Sequence, residues 1–409
     1  MQKHTLAIVI VWYGKWPWYF DFFLQSVKFN PTIDFLIFTD TLVDRDLPKN
    51  VKAINVSFEA FKSLATQKLH FDVVIDTPYK LCDFKPAYGL IFEDYLKQYD
   101  FWGHGDVDII FGNVRGFITE ELLNENDFIS VRHDFITGFF ALFRNNETMN
   151  TLFTKSKDYK KVFTTVKHFC FDECNFLQPY LEKSIPLTQL QSEIESMEHV
   201  VNKATIEGLI RSHFDYMIVE SNPGNLRWKN GELFYKERFE VLFYHLIRFK
   251  KLPFLVLPIW RSMPDIFYIH KFYLSYHHPK SVFGIAEAIR LNIKSLSYKM
   301  PTWINWHRFK ILSALKLVAN KKHSPATATF SGRYKSHNSF VTIGIDPKDN
   351  KLFLLEGMQV TPLKQIKSQE FISTSVRCRL TFSHGNSPHF SVEDVFNYGF
   401  DKKIFNKLP

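Results

Sequence analysis

Two carboxylates stand two residues apart, at Asp106 and Asp108, within the stretch Tyr99 to Gly112. If this stretch is a strand, residues i and i+2 lie on one face, and both carboxylates would point into one cleft. Two like charges held that close are costly unless a cation lies between them. Mn²⁺ and Mg²⁺ favour oxygen ligands of this kind. The alternative interpretation is a strand that runs into an acidic turn.

Short apolar runs alternate with helical patterns before this pair. The runs typical of buried strands are Leu6–Trp12, Asp34–Asp40 and Val51–Val56. The segments with helical spacing are Trp18–Val27 and Phe58–Leu69. This alternation predicts an α/β fold, with a mostly parallel sheet and helices on both faces. Ligands of such sheets bind beyond the carboxyl ends of the strands. Tyr13, Asp40 and the two aspartates are expected at those ends.

Further motifs follow one another in a fixed order. They are Tyr13-Gly14, Phe38-Thr39-Asp40, Lys80-x-x-Asp83-x-Lys85, Trp102-Gly103-x-x-Asp106-x-Asp108, Thr137-Gly138, Phe171-Asp172-Glu173 and Tyr244-His245. With this order the chain resembles bacterial GT-A-fold glycosyltransferases encoded in capsule and lipopolysaccharide biosynthesis loci. The resemblance covers roughly residues 5 to 255. It implies a Rossmann-like nucleotide-diphospho-sugar transferase.

The resemblance implies a metal site. Asp108 would be a direct ligand of Mn²⁺ or Mg²⁺, and Asp106 would contact the ribose or reach the metal through water. His245 would be a third ligand, contributed by a later part of the chain. The alternative for His245 is a satisfied core residue on an apolar helical face.

The resemblance also implies contacts to the donor. Tyr13 and Asp40 would contact the base and the ribose, although either residue could simply end a strand. Lys80, Asp83 and Lys85 match the donor-contacting group that precedes the acidic motif in related enzymes, with surface charge as the alternative. Relatives often have Arg where this chain has Lys85.

Two later motifs concern the sugar and the acceptor. Thr137 and Gly138 would let the backbone approach the donor sugar, unless the glycine is needed only for packing. Asp172 or Glu173 is the candidate general base that deprotonates an acceptor hydroxyl in an inverting reaction. The alternative is an acid pair stabilised at a helix N-terminus. A retaining reaction needs no such base, and the sequence leaves the stereochemistry open.

The excess of positive charge lies in one segment. The chain of 409 residues has a formal net charge of +9, and residues 261–335 contain 13 Lys or Arg and two acids. We therefore expect a glycosyltransferase domain at 1–260, a basic helical segment at 261–325 and a strand-rich extension at 326–409. Basic and aromatic residues mixed on helices suit the surface of an anionic membrane, with a solvated helical subdomain as the alternative.

Composition bears on the location. No run approaches the roughly 18 apolar residues that a membrane span needs. The four cysteines do not indicate a disulfide framework in a chain this long. We expect a cytoplasmic protein that can lie peripherally at the inner face of the membrane.

The leading hypothesis is a metal-dependent glycosyltransferase that moves a sugar from a nucleotide donor, with UDP the favoured carrier, to a growing surface polysaccharide or lipid-linked glycan. A nucleotidyltransferase is the next hypothesis. That class usually has a Gly-rich basic loop after the first strand, whereas Tyr13 to Trp18 contains one Gly and three aromatic residues. Nucleic-acid binding through residues 281–335 is a third hypothesis, but no recognised motif supports it.

Overall fold

The computed structural model describes most of the chain. The described residues are 4–297 except 216, 222 and 253, and then 330–336, 339–345, 352–356, 359–367, 369–373, 378–383, 389–394 and 403–407. They form two compact units, Met1–Asn292 and Ile293–Pro409.

The strands are numbered in chain order. They are β1 (Leu6–Val11), β2 (Ile33–Thr39), β3 (Val51–Asn55), β4 (Phe101–Gly105), β5 (Ile109–Phe111), β6 (Phe128–Ser130), β7 (Phe140–Arg144), β8 (Ser212–Phe214), β9 (Ile218–Val219), β10 (Leu226–Lys229), β11 (Glu232–Tyr235), β12 (Phe239–Glu240), β13 (Phe243–His245), β14 (Ile266–Ile269), β15 (Leu274–Ser275), β16 (Gly332–Ser336), β17 (Ser339–Ile345), β18 (Leu352–Glu356), β19 (Gln359–Lys367), β20 (Glu370–Ser373), β21 (Cys378–Ser383), β22 (His389–Asp394) and β23 (Lys403–Lys407).

The helices are numbered in the same way. They are α1 (Phe20–Lys28), α2 (Phe58–Leu69), α3 (Tyr88–Ile91), α4 (Glu93–Leu96), α5 (Val114–Phe117), α6 (Glu120–Glu125), α7 (Glu147–Asn150), α8 (Tyr159–Phe163), α9 (Gln178–Leu181), α10 (Met197–Ile206) and α11 (282–297). Short 3₁₀ helices cover Pro78–Ala87, Leu152–Lys155, Leu187–Gln189 and Phe249–Lys251.

The main sheet of the first unit has seven strands in the order β3-β2-β1-β4-β7-β6-β8. β1 pairs in parallel with β2 and β4, and β2 pairs in parallel with β3. β7 runs antiparallel to both of its neighbours. The predicted α/β fold with a mostly parallel sheet is therefore confirmed, and the carboxyl ends of β1, β2 and β4 share one edge.

Helices cover both faces of this sheet because successive residues of a strand point to opposite sides. Leu6, Ile8 and Ile10 of β1 pack in a core with α1. Ala7 and Val9 pack in a second core on the other face, with α2 and α3. A parallel sheet buried on both faces needs near-continuous apolar strands, which is why the apolar runs predicted these strands correctly.

Two smaller sheets complete the first unit. One has the order β5-β13-β9, and the other has the order β12-β11-β10-β14-β15. Ile266–Ile269 and Leu274–Ser275 therefore form strands, although the sequence placed them in a basic helical segment. Phe267 and Ile269 are buried against Trp228 and Leu226 of β10, and this packing determines their conformation. The predicted helix is present at 282–297, and residues 298–325 lie outside the described residues.

The second unit is rich in strands, as predicted. β16 to β23 form an antiparallel sheet that closes on itself, because β16 pairs with both β17 and β23. The adjacent strands β17 and β18 pair antiparallel, and residues 346–351 between them lie outside the described residues. Aromatic and aliphatic side chains fill the interior of this sheet.

Among the described residues, no helix combines the length and the apolar character needed to cross a bilayer.

Candidate functional site

Asp106 and Asp108 lie in the turn between β4 and β5. They are not part of a strand, so the alternation rule that placed both side chains on one face does not apply. Each carboxylate has an ammonium partner of its own. Asp106 accepts a hydrogen bond from Lys85 at 2.6 Å, and Asp108 accepts one from Lys250 at 2.5 Å.

His245 lies beside Asp108 because of the register between two short strands. β13 pairs antiparallel with β5 so that His245 faces Ile109, and the backbone N–H of Leu246 donates to the carbonyl of Asp108 at 2.9 Å. His245 Nε2 is 3.3 Å from Asp108 Oδ2. The sequence placed His245 on a helical face, and the structure corrects this to the end of a buried strand.

A row of alternating charges continues behind His245. Its Nδ1 lies 3.0 Å from Glu220 Oε1, and the other oxygen of Glu220 accepts a hydrogen bond from Arg132 at 2.5 Å. Arg132 also forms a two-point pair with Asp134. Glu220 follows the end of β9, which pairs with β13, so the sheet β5-β13-β9 brings Asp108, His245 and Glu220 together.

Electrostatics favour the charged form of each member of this row. Burial alone would raise the pKa of Asp108, but His245 and Lys250 outweigh it and hold that pKa well below its ordinary value. Burial would lower the pKa of His245, whereas Asp108 and Glu220 raise it to about 9. For Lys250 too, burial opposes the charged form, and Asp108 raises its pKa above the ordinary value. The two flanking carboxylates therefore favour the protonated form of the His245 imidazole.

A second cluster surrounds Gly138, just before β7. Lys85 donates to the Gly138 carbonyl and to Asp106, each at 2.6 Å. The Gly138 N–H donates to Glu173 Oε1 at 2.8 Å. A Cβ at position 138 would lie only 2.2 Å from Asp172 Oδ2, so glycine is required by packing against these carboxylates.

Asp172 and Glu173 have different roles in this geometry. Glu173 also accepts a hydrogen bond from the side-chain amide of Gln178 at 2.5 Å. Because its other oxygen binds the Gly138 N–H, Glu173 fixes the loop that contains Gly138. Asp172 is buried, and its pKa is raised by burial and by the nearby Glu173 charge, with Lys85 opposing. Both acids lie in a turn before α9, so the alternative of an acid pair at a helix N-terminus does not apply. A carboxyl with a raised pKa is suited to accepting a proton.

Lys80 and Asp83 lie behind the site and out of reach of solvent, with side-chain exposures of 1% and 0%. Lys80 donates to Asp83 and to the carbonyls of Val162 and Lys167, which accounts for all three N–H groups of its ammonium. Asp83 accepts hydrogen bonds from Lys80 and from the backbone N–H groups of Phe169 and Phe171. It also lies 3.2 Å from His168 Nδ1. The geometry therefore corrects their predicted contact with the donor to a structural role, which is to hold the segment that leads to Asp172.

Tyr13 and Asp40 follow the adjacent strands β1 and β2. Tyr13 is half-buried, with its ring edge-on to Phe58, and Asp40 is exposed. Burial and then the Asp40 charge raise the pKa of Tyr13, as expected for two side chains that are near each other. Thr137, by contrast, is fully buried and donates its hydroxyl to the Phe140 carbonyl at 2.6 Å, so its side chain stabilises the loop before β7.

The predicted metal ligands come together in part. Asp108 and His245 approach to a separation close to the roughly 3 Å that neighbouring ligands of one octahedral ion adopt. Glu220 on the far nitrogen is the carboxylate partner that ligating histidines commonly have. Asp106 is engaged by Lys85, and no group of three His, Cys, Asp or Glu side chains suited to a metal is found in the described part of the chain. The donor atoms of Asp108 and His245 suit Mn²⁺, and the full ligand set stays a prediction.

Residues 8–254 match the model of a family of unknown function, DUF6625. The chain belongs to this family. Every residue of the charged row around Asp108 and of the cluster around Gly138 lies within the matched range. The site is therefore part of the DUF6625 region, and the closed sheet is not. No curated protein matches the chain.

Solved structures similar to this DUF6625 member include the crystal structure of galactosyltransferase LgtC in complex with donor and acceptor sugar analogues, with 11% sequence identity and a TM-score of 0.28. The match covers 58% of this chain and 86% of that chain. A TM-score this low carries no argument about the fold or the activity.

The sequence did not single out Glu220 or Arg132 as site residues of this DUF6625 member. Glu220 follows a two-residue strand, which is too short to produce a periodic pattern. An acid at the end of an apolar run was a usable signal at Asp40, and the same signal is present in Ile218-Val219-Glu220.

Proposed function

We propose that this DUF6625 member is a GT-A-type glycosyltransferase that moves a sugar from a UDP-linked donor to a growing surface polysaccharide or lipopolysaccharide. The observation that carries the proposal is that Lys250 and His245 lie 2.5 Å and 3.3 Å from Asp108, although Asp108 belongs to a distant part of the chain. They meet next to the edge where β1, β2 and β4 end. A carboxylate, an imidazole and an ammonium assembled there suit a metal-bound diphosphate.

The nucleoside would bind at the ends of β1 and β2. Tyr13 offers an aromatic face and Asp40 an exposed carboxylate on the neighbouring strand. An aromatic ring packs against a base, and a carboxylate accepts hydrogen bonds from ribose hydroxyls. In this arrangement the diphosphate extends toward the turn that carries Asp106 and Asp108.

Asp108 and His245 would hold Mn²⁺ or Mg²⁺, with Asp106 completing the set after release from Lys85. When bound, the metal offsets the negative charge that develops on the departing nucleoside diphosphate. Lys250 and Lys85 are the ammonium groups beside these carboxylates, and each can turn to a phosphate oxygen on its flexible stem.

Asp172 would accept the proton of the acceptor hydroxyl if the reaction inverts the anomeric centre. It lies against Gly138, close to Lys85, and its raised pKa suits that role. Glu173 would keep the Gly138 backbone in position by accepting a hydrogen bond from the Gly138 N–H group. If the reaction retains configuration, the same carboxyl would orient the donor sugar.

The acceptor would be a glycan or lipid-linked glycan at the cytoplasmic face of the membrane. The excess of basic residues in 261–335 attracts an anionic leaflet, at about 1 kcal/mol per residue close to the lipid. Sedimentation with vesicles of neutral and anionic lipids tests this, and equal recovery with both would contradict it.

The function is tested by a screen of nucleotide sugars for hydrolysis, with Mn²⁺ and with EDTA. We expect turnover of a UDP-sugar that requires the metal and is lost in Asp108→Asn. Asp94→Asn is the matched control, because Asp94 is an exposed carboxylate that pairs with Lys68 and Lys97, outside both groups of site residues. Absence of turnover with every nucleotide sugar, or equal turnover in both variants, would refute the proposal.

A further inference from the structure

One oxygen of Asp108 contacts two cationic side chains. Oδ2 lies 2.5 Å from Lys250 Nζ and 3.3 Å from His245 Nε2. Asp108 and His245 are almost fully enclosed, with side-chain exposures of 6% and 4%, whereas Lys250 is 24% exposed. Lys250 therefore lies on the solvent side of the carboxylate, and a ligand that arrives from solvent meets the ammonium first.

An ammonium in this position competes with a divalent cation. It uses the oxygen that a metal would bind, and it adds a positive charge within a few ångströms of any metal that does bind. Lysine has no lone pair to offer the metal when protonated, so it cannot join the coordination sphere. A metal held by His245 Nε2 and the adjacent Oδ2 of Asp108 must therefore displace Lys250.

Lys250 can leave Asp108 without leaving the site. It belongs to the short 3₁₀ helix Phe249–Lys251, and its Nζ lies 5.4 Å from the centre of the Tyr19 ring. Its four-carbon stem allows the ammonium to turn outward, where it needs a new anionic partner. Phosphate oxygens of a nucleoside diphosphate supply such a partner.

We infer that Lys250 is the exchangeable counter-ion of Asp108, released by a nucleoside diphosphate, so that metal and nucleotide bind with positive coupling. This inference rests on the proposed function. It explains why a carboxylate intended for a metal is kept neutralised in the free protein. It also assigns Lys250 a positioning role that acts through Asp108.

The coupling is measured by titrating Mn²⁺ into metal-free full-length protein, with and without saturating UDP, by calorimetry and by electron paramagnetic resonance of the free ion. In the wild type, UDP should raise Mn²⁺ affinity by about tenfold or more, and Mn²⁺ should raise UDP affinity by the same factor. Lys250→Met should raise the affinity of the UDP-free protein for Mn²⁺ by about tenfold and reduce the effect of UDP.

Lys251→Met is the matched control, because it removes the same charge from the next residue, whose side chain is exposed. It should leave the affinity of the UDP-free protein for Mn²⁺ near the wild-type value. Lys250→Gln provides a second variant, and near-ultraviolet circular dichroism verifies folding.

The outcomes separate this inference from the proposed function. Equal Mn²⁺ affinity in wild type and both Lys250 variants, together with metal-dependent UDP binding, would overturn the exchange and leave the glycosyltransferase proposal intact. Equal gains in Mn²⁺ affinity in the Lys250 and Lys251 variants would show that net charge alone causes the effect, and would also overturn the exchange. Failure of every variant to bind Mn²⁺, with or without UDP, would refute both the exchange and the metal site.

Discussion

A buried carboxylate with two cationic partners, as at Asp108, is stabilised only while those partners remain, because a buried charge without a partner is costly. The same holds for His245, which lies between the carboxylates of Asp108 and Glu220. The row of charges therefore links the stability of the fold to the protonation of one imidazole.

The pKa of His245 predicts a loss of stability with rising pH. Its folded pKa of about 9 lies above the ordinary 6.5, so its stabilisation is fully present below pH 6.5 and disappears as the pH rises through 9. The effect should be on the order of 3 kcal/mol in metal-free buffer. Urea unfolding at pH 6.5 and pH 9 measures it, with His245→Gln as reference. The same pH dependence in wild type and variant would contradict the assignment.

A second prediction at the scale of residues concerns the packing of Gly138. Gly138→Ala should cost about 1–3 kcal/mol of unfolding free energy, because its methyl group meets the Asp172 carboxylate. Asp172→Ala in the same chain should restore part of that loss by removing the obstructing atoms. Urea midpoints of the single and double variants decide the matter, and a Gly138→Ala protein as stable as the wild type would contradict the packing argument.

At the scale of elements, the segment that carries Asp172 is held by a buried ion pair. Asp83 accepts from the backbone N–H groups of Phe169 and Phe171, while Lys80 ties Asp83 to two further carbonyls. The chain uses these side chains to fix a turn that has no regular secondary structure of its own.

Removing this anchor should destabilise the fold. Asp83→Ala leaves the Lys80 ammonium buried without its carboxylate, at a cost of about 3–5 kcal/mol. The exposed Asp94→Ala serves as comparison and should change the urea midpoint little. Similar midpoints for the two variants would show that Asp83 is not a structural anchor.

The sequence predicted the elements better than the contacts. Apolar runs such as Leu6–Val11 are strong signals because both faces of the strand are buried. His245 was assigned to a helical face because its strand has only three residues and takes its conformation from pairing with β5. Lys80 and Asp83 looked like surface or ligand-binding charges, since nothing local reveals that distant carbonyls satisfy them.

At the scale of the molecule, the candidate site and the closed sheet belong to different units. Every residue of the two clusters lies in Met1–Asn292 and within the DUF6625 match, which ends at residue 254. The closed sheet has a core of its own, formed by residues such as Phe371, Phe382 and Phe390. Nucleotide binding is therefore expected to be a property of the first unit.

A fragment of residues 1–297 tests this division. We expect it to fold and to bind UDP with Mn²⁺ as the full chain does, because no residue proposed for the donor site has been removed. Circular dichroism checks folding and calorimetry checks binding. A folded fragment that no longer binds UDP would show that the second unit contributes to the donor site.

The proposed function requires Asp108 to hold a metal-bound nucleoside diphosphate. Its most direct test is calorimetric titration of UDP, in the presence of Mn²⁺, into the wild type and Asp108→Asn, a substitution that keeps the size of the side chain and removes its charge. The wild type should bind UDP, and the variant should bind it about 100-fold more weakly. Equal affinity of the two folded proteins for UDP would rule out this role of Asp108.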